Sequence, residues 1–212
     1  MLRQEIFEIT DPERIRDLIR THSWATLISH VPDRGMVVSH LPVLVEAGGR
    51  DGGSGDTLVL AGHLARTDAD EHQLGAHDVV VVFQGPHGYI SPVWYEETPH
   101  VPTWNFVVAH VHGRPETLGP ERTYEVLTDT VDHFEDRFPE PWRLERVDAY
   151  AHRIAAAVTG FTLTAARVTA KAKLSQDERE EVVHRVADAL TTDQPHAHPE
   201  LARAMRDSRR QQ

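Results

Sequence analysis

The segment that decides the predicted fold runs from residue 83 to residue 113: FQGPHGYISPVWYEETPHVPTWNFVVAHVHG. It places large aromatic side chains among prolines and glycines. Aromatic faces offer flat apolar surface to a planar ring, and Gly85 and Gly88 allow a close approach of the backbone. The segment therefore predicts the wall of a cofactor pocket, although a barrel corner packed by its own aromatic side chains fits the same pattern. The aromatic residues are Tyr89, Trp94, Tyr95, Trp104 and Phe106.

Strands are predicted on both sides of this segment. Val79–Phe83 is a run of five apolar residues, which is typical of a strand buried on both faces. Val107–His112 alternates, so that His110 and His112 share one side of a predicted strand. Further strands are predicted at Trp24–Ser29, Met36–Val45 (interrupted at Pro42), Thr57–Gly62 and Gly160–Val168.

Helices are predicted from capping residues and apolar stripes. Asp11 and Pro12 suit the start of a first helix with the stripe Ile15, Leu18 and Ile19. The segment AGGRDGGSGD (47–56) predicts a flexible hairpin tip. Short strands combined with helices predict a mainly β, α+β protein, namely an antiparallel barrel with helical decoration. The other predicted helices are Asp68–Leu74, Pro120–Phe134, Tyr150–Val158, Glu178–Leu190 and Pro199–Arg206.

Composition limits the function classes. The 212 residues are 40% apolar and 26% charged, which suits one globular domain. We predict a domain over 1–175 with a helical extension of the same domain over 176–212. No apolar run is long enough for a bilayer and no signal-peptide pattern is present, so we expect a cytoplasmic protein. The net charge of −11 argues against direct DNA binding, because that affinity comes largely from cations placed against phosphates.

Several residues are chemical candidates by type and position. His63 ends a predicted strand and is either a hydrogen-bonding residue or a ligand. His110 and His112 share a strand face, but no third metal ligand is linked to them, so a zinc site is disfavoured. Lys171 and Lys173 are the only lysines of the chain and alternate on one side of an extended segment. Beside Ser175 they could hold a phosphate or a carboxylate, or form a solvated strand end.

Motifs along the chain resemble the PaiB family, usually labelled FMN-binding negative transcriptional regulators. The resemblance covers about residues 1–190, and its central motif, FQGPHGYISPVWY, is highly specific. It implies the split β-barrel of pyridoxamine-phosphate-oxidase-like flavoproteins, and a homodimer with the cofactor at the subunit interface. The motifs are His40-Leu41-Pro42, GHLAR at 62–66, FQGPHGYISPVWY at 83–95, VPTWNF at 101–106, His112-Gly113, VTGF at 158–161 and KLSQ at 173–176.

The family also includes the haem-dependent piperazate synthases, which close N5-hydroxy-L-ornithine into a ring through an N–N bond. Regulator-type members tend to have Asn-Pro-Gln-Trp where this chain has Asp68–Glu71, and Asn-Arg where it has Asp177 and Glu178. Carboxylates are unfavourable beside a phosphate dianion. These differences favour haem b over FMN, and hence an iron-dependent biosynthetic enzyme for a small amino-acid substrate. The alternatives are an FMN-binding regulator, sensor or oxidoreductase, and a flavin reductase or haem-degrading enzyme on the same barrel.

The resemblance suggests roles for individual residues. His63 is the first choice as the axial iron ligand and His110 the second. Arg66, Lys171 or Lys173 would bind the substrate carboxylate, and Tyr89, Glu96 or a second histidine would move protons. In either branch the cofactor would lie against His87, Tyr89, Trp94 and Trp104. In the FMN branch Lys171, Lys173 and Ser175 would bind the phosphate.

Overall fold

The computed structural model describes residues 4–46, 57–192 and 195–210. The predicted hairpin tip at 47–56 lies outside the described residues. The strands are β1 (Glu8–Ile9), β2 (Trp24–Val31), β3 (Gly35–Val45), β4 (Val59–Ala65), β5 (Val79–Ile90), β6 (Thr103–Gly113), β7 (Pro115–Thr117), β8 (Val158–Thr164) and β9 (Arg167–Lys173). The helices are α1 (Pro12–Thr21), α2 (Arg66–Glu71), α3 (Pro120–Glu135), α4 (Asp148–Ala155), α5 (Glu180–Ala189) and α6 (Pro199–Arg210). Short 3₁₀ turns cover Glu5–Phe7, Pro92–Tyr95 and Leu144–Val147.

The chain divides into two compact units. The first unit holds residues 1–11, 84–109 and 169–212, and the second unit holds residues 12–83 and 110–168. Strands β5, β6 and β9 contribute residues to both units. The predicted division into 1–175 and 176–212 stays a prediction.

The second unit is an antiparallel sheet with the strand order β5-β2-β3-β4-β8-β7. Strand β2 and the end of β6 alternate between buried and more exposed residues, as the sequence predicts for β6. Its core is apolar, and the fully buried side chains include Leu27, Leu60, Val81, Phe83, Phe161 and Leu163. Helix α1 buries the predicted stripe of Ile15, Leu18 and Ile19.

The first unit has the strand order β1-β9-β6-β5 and carries the last two helices. Glu8 lies opposite Lys171 in the antiparallel pair of β1 and β9. Helix α5 buries Val182, Val183 and Val186, and helix α6 buries Leu201 and Met205. These residues share one face of each helix, so amphipathic packing explains both helices.

The predicted strand pattern is wrong in three places. Strand β3 continues through Pro42, because it pairs with β2 up to that residue and with β4 from Val43 onward. Strand β5 continues to Ile90 rather than ending at Phe83, and its start alternates between buried and half-buried residues instead of being buried on both faces. Its register with β2 ends at Phe83, so Pro86 removes no hydrogen bond from that ladder.

The third difference is in the predicted strand Gly160–Val168. It is two strands, β8 and β9, because the chain bends at Ala165 and Ala166. The amide of Ala165 donates to Leu58 O and that of Ala166 to His112 O, at 2.9 and 2.8 Å. The apolar positions Phe161, Leu163 and Ala165 are followed by Arg167, so the apolar alternation stops where the chain bends.

Candidate functional site

His63 lies in β4 on the face of the sheet that helix α3 covers. It is opposite Gly160 of β8 in the antiparallel register, and opposite residues project to the same face. A Cβ atom built on Gly160 would meet Thr123 Oγ1 of α3 at 2.8 Å. His63 and the start of α3 are therefore on one side of the sheet.

The imidazole of His63 is half-buried and has no protein partner among the described residues. Its Nδ1 atom is buried and makes no hydrogen bond. Burial lowers the pKa of His63, so the ring is neutral at pH 7. A buried polar atom without a partner is rare and costs stability. The neutral imidazole is also the form that binds metals.

The other buried or strand-borne histidines are arranged differently. His72 is fully buried between two hydroxyls, with Ser29 Oγ 2.7 Å from its Nδ1 and Ser39 Oγ 3.0 Å from its Nε2. His112 has its Nδ1 atom 3.0 Å from Arg167 Nη2. Burial lowers the pKa of His110, with a further contribution from Arg167. In the described part of the chain, no three His, Asp or Glu side chains are grouped so that they could hold a metal ion.

A cavity of about 790 Å³ opens in the second unit between α3, α4 and the start of β8. This volume lies within the range of small-molecule sites. Arg66, at the start of α2, is the one predicted site residue in its lining. The lining residues are Arg66, Thr117, Leu118, Pro120, Glu121, Thr123, Tyr124, Glu125, His152, Ala155, Ala156, Val158 and Thr159.

Hydrogen bonds orient the polar side chains of this cavity. Arg66 donates from Nε and Nη2 to Ala156 O, at 3.1 and 2.6 Å. The rings of Tyr124 and His152 are stacked, with centroids 3.8 Å apart. Tyr124 donates to Asp148 Oδ1 at 3.0 Å, and His152 Nδ1 lies 3.1 Å from Asp148 O. Asp148 therefore contacts both rings and holds them in place.

The aromatic motif lies in the first unit, where its side chains contact each other and the segment before α6. The Tyr89 ring is 4.9 Å from the ring of His196 and 6.4 Å from that of Trp104. His87 Nδ1 lies 3.0 Å from Gly85 O. Trp94 belongs to the 3₁₀ turn that follows β5. The segment predicted as a pocket wall therefore consists of the end of β5, the 3₁₀ turn, an irregular stretch over 96–102 and strand β6.

Glu96 and Ser175 both adopt a left-handed backbone conformation, with φ of 56° and 63°. Glu96 closes the 3₁₀ turn, and its Oε2 atom lies 3.9 Å from Arg185 Nε. The side-chain Nδ2 atom of Asn105 donates to Ser175 Oγ at 2.9 Å. Burial raises the pKa of the nearby Tyr95 phenol, which also hydrogen-bonds Ser175.

The two lysines contact protein oxygens within the first unit. Lys171 is buried and donates to Gln4 Oε1 at 2.6 Å, with its ammonium over the rings of Phe7 and Phe106. Lys173 donates to Thr103 Oγ1 at 2.5 Å and to Trp104 O at 3.0 Å. Burial lowers the pKa of Lys173.

The sequence matches a known family over most of its length. The family model FMN_bind_2, described as "Putative FMN-binding domain", matches residues 1–167. The chain belongs to this family. Protease synthase and sporulation protein PAI 2 of Bacillus subtilis is 26% identical over 208 residues, which cover 97% of each chain. The predicted PaiB resemblance is thereby confirmed.

Solved structures share the fold of this FMN_bind_2 protein. The flavocytochrome Anf3 from Azotobacter vinelandii superposes with a TM-score of 0.59 at 14% identity, over 86% of this chain and 77% of that one. A FAD and heme binding protein from Mycobacterium smegmatis superposes with a TM-score of 0.56 at 16% identity, over 83% and 78%. The predicted split β-barrel fold class is confirmed. No helix in the described part of the FMN_bind_2 chain is long and apolar enough to span a bilayer.

The candidate residues of this family member fall into two groups. His63, Arg66 and His110 belong to the second unit. The first unit holds His87, Tyr89, Trp94, Glu96, Trp104, Lys171, Lys173 and Ser175. Their proposed roles in cofactor binding and catalysis stay predictions.

Sequence reasoning missed three residues of the cavity, namely Glu121, Tyr124 and His152. Glu121 and Tyr124 fall within a correctly predicted helix, and His152 falls within the next one. No local pattern distinguishes them from ordinary polar residues of a helix surface. Only the packing of α3 and α4 beside β8 brings them together.

Proposed function

We propose that the protein is a haem-dependent enzyme resembling the piperazate synthases, which converts N5-hydroxy-L-ornithine into L-piperazic acid. The observation that carries this proposal is His63, a half-buried and neutral imidazole whose Nδ1 atom is buried without a partner. An unpaired buried nitrogen reduces stability, so its presence favours a role in binding. Fold neighbours described as a flavocytochrome and as FAD and heme binding are compatible with haem on such a barrel.

The residues present fit haem ligation. Axial ligands of haem iron include imidazole, and His63 presents it in the form that binds iron without first losing a proton. His110 is the second candidate, since burial also lowers its pKa. When bound, haem would supply a Lewis-acidic iron for the hydroxylamine oxygen.

The reaction requires no external oxidant. The substrate's α-amine nitrogen forms a bond to the side-chain nitrogen while the N–O bond breaks. The departing oxygen takes the proton that the α-amine gives up and leaves as water. We assign the substrate carboxylate to Arg66, with Lys171 and Lys173 as alternatives, and proton transfer to Tyr89 or Glu96. Arg66 is favoured because it lines the cavity of the second unit, whereas neither lysine does.

FMN binding without the cyclase reaction is the second candidate function. The family description favours it. In that case Tyr89, Trp94 and Trp104 would flank the isoalloxazine ring, together with His87. To bind the phosphate, the two lysines would have to leave the side-chain oxygens of Gln4 and Thr103, and Ser175 would have to leave the side-chain amide of Asn105.

A homodimer with the cofactor at its interface is part of the proposal. One face of β2 and β3 in the second unit exposes Trp24 by 64%, Met36 by 63% and Val38 by 53%. Their register places these side chains on the same face as His30 and His40. An exposed apolar face of this kind is typical of a protein–protein contact.

The absorption spectrum of the purified protein, titrated separately with haem and FMN, tests the proposal. We expect a Soret band with haem and no bound flavin. The His63→Ala variant should lose or shift the Soret band, whereas His110→Ala should keep it. Formation of L-piperazic acid from N5-hydroxy-L-ornithine, followed by mass spectrometry as the loss of water, tests the activity. Tight FMN binding with no Soret band would overturn the haem assignment.

A further inference from the structure

We infer that the cavity of the second unit binds the zwitterionic head group of a free amino acid, with Arg66 holding the carboxylate and Glu121 the ammonium. The inference deepens the proposed function and rests on its amino-acid substrate. It adds the place in the fold where that substrate is recognised and a carboxylate that recognises it. The charged groups of the cavity differ in whether they already have an oppositely charged partner.

Arg66 is a cation that is oriented but not neutralised. Two of its guanidinium nitrogens donate to the single carbonyl of Ala156. Among the described residues it forms no ion pair with a carboxylate. A guanidinium has five N–H donors in a rigid fork, so the bonds to Ala156 leave donors for a ligand and hold the side chain in place. Such a group suits a carboxylate.

Glu121 is the complementary anion. It lines the same cavity from the first turn of α3, and none of the described residues forms an ion pair with it. Glu125, one turn further along the same helix, also lines the cavity but is paired with Arg122. Arg122 in turn contacts Glu46 at 2.8 Å. The cavity thus contains one carboxylate that is neutralised and one that is not.

Arg66 and Glu121 do not satisfy each other, since no ion pair joins them. One unneutralised charge of each sign on the walls of a cavity selects a ligand that carries both. A phosphate ester or dicarboxylate would place a negative charge beside Glu121, and a polyamine would place a positive charge beside Arg66. A free amino acid carries its carboxylate and ammonium on one carbon and meets both requirements.

The stacked rings of Tyr124 and His152 form another wall of the cavity. Asp148 holds both rings through the hydrogen bonds described above. Their faces provide apolar surface for the methylene groups of an amino-acid side chain, and their polar atoms can reach a nitrogen at its end. The site therefore suits an amino acid with a linear side chain that ends in a polar group.

Calorimetric titration of the full-length protein with L-ornithine and two matched analogues tests this inference. Putrescine lacks the carboxylate, and 5-aminopentanoate lacks the α-amine. We expect L-ornithine to bind at least about tenfold more tightly than either analogue, which corresponds to the loss of one charged contact. Equal affinity for all three compounds, or no binding of L-ornithine at about 10 mM, would overturn the inference.

Variants assign the two charges separately. Arg66→Gln should abolish the preference for L-ornithine over putrescine, and Glu121→Gln should abolish its preference over 5-aminopentanoate. Glu125→Gln is the matched control, because that carboxylate lines the same cavity but is already paired, and it should retain both preferences. Each result is a ratio of two ligand affinities measured on the same variant. A general loss of stability would lower both affinities and leave their ratio unchanged. Retention of both preferences by Arg66→Gln and Glu121→Gln would refute the assignment.

Haem titration of the same samples separates this inference from the proposed function. A Soret band without any preference for L-ornithine would overturn the amino-acid site and leave the cofactor assignment standing. A clear preference for L-ornithine without a Soret band would support the site and overturn the haem assignment.

Discussion

The aromatic motif of the first unit and the cavity face of the second unit contrast in how their polar groups are satisfied. In the first unit, Lys171, Lys173 and Ser175 all have hydrogen-bond partners within the protein. In the second unit, His63 has a buried nitrogen without a partner, and Arg66 and Glu121 have no oppositely charged partner among the described residues. The phosphate-binding candidates of the first unit are therefore occupied by protein partners, although Asn105 Oδ1 in the aromatic motif is also buried without one.

The region with the densest sequence motif is therefore not the region whose side chains are most available to a ligand. Aromatic residues, prolines and glycines shape the turn and strands of the first unit, and much of their chemistry is used in packing there. The second unit leaves a buried nitrogen of His63 without a partner, at a cost in stability, and leaves the exposed charges of Arg66 and Glu121 without an ion pair. Locally unfavourable groups that the fold nevertheless keeps are the better guide to a binding site.

The largest effect is expected in the first unit, where Asn105 tests whether the motif serves packing. Asn105 is fully buried and donates to Ser175 Oγ. Asn105→Ala should lower the free energy of unfolding by about 2–3 kcal/mol, because it removes this bond and leaves a cavity. Urea denaturation followed by circular dichroism measures the change.

The neighbouring Trp104 is the control for that experiment. It is 56% exposed, so Trp104→Ala should change the free energy of unfolding by less than about 1 kcal/mol. Equal destabilisation by the two variants would contradict the distinction between a packing residue and an exposed aromatic face in this motif.

A smaller effect of opposite sign is expected at His63 in the cofactor-free protein. His63→Leu replaces an unsatisfied imidazole with an apolar side chain of similar size. It should raise the free energy of unfolding by about 1 kcal/mol. Thermal and urea denaturation of the apoprotein measure the change.

His72 provides the matched histidine. Both of its ring nitrogens have serine partners, so His72→Leu should destabilise the protein by about 2 kcal/mol by leaving Ser29 unpaired in the core. If His63→Leu destabilised the apoprotein as much as His72→Leu, the lone nitrogen of His63 would not mark a binding site.

The smallest effect is expected in the pH dependence of stability. Burial lowers the pKa values of His63 and His72 in the folded protein, although Asp68 partly opposes the shift at His72. The unfolded chain therefore binds more protons at pH values between the lowered pKa and the ordinary value of about 6.5. The stabilising contribution is complete above that ordinary value and is lost as the pH falls below it.

Urea midpoints measured from pH 8 to pH 5 check this prediction. The wild-type midpoint should decrease toward pH 5, and the decrease should be shallower in His63→Leu. Parallel curves for the two proteins would show that His63 titrates equally in the folded and unfolded states and is not desolvated by the fold.

Sequence patterns predicted the regular elements better than their ends. The stripe of Ile15, Leu18 and Ile19 specified α1 correctly, because every third or fourth residue of a helix shares a face. The bend between β8 and β9 was missed because Ala165 and Ala166 are not typical turn residues, although the apolar alternation of the strand stops at Arg167. The predicted strand ended at Phe83 with the apolar run, whereas β5 continues to Ile90 after its pairing with β2 has ended.

The candidate site was predictable only in part. His63 and Arg66 stand out because the GHLAR motif belongs to the family pattern. Glu121, Tyr124 and His152 carry no local signal, since each occupies an ordinary helix position. Whether a charged side chain has a partner depends on residues that are distant in sequence. The partners of Lys171 and Lys173, for example, could not be predicted from the residues around them.

By itself the sequence determined the family, the mainly β fold class and most of the secondary structure, because these follow from motifs and from the periodicity of apolar residues. The tertiary structure alone decided which polar groups are satisfied. The pairing of β4 with β8 and the packing of α3 over Gly160 place His63 on the face that α3 covers. The same packing puts Arg66 and Glu121 on the walls of one cavity. Hydrogen bonding and charge neutralisation are properties of the assembled chain, and they distinguish a residue that packs from one that can bind.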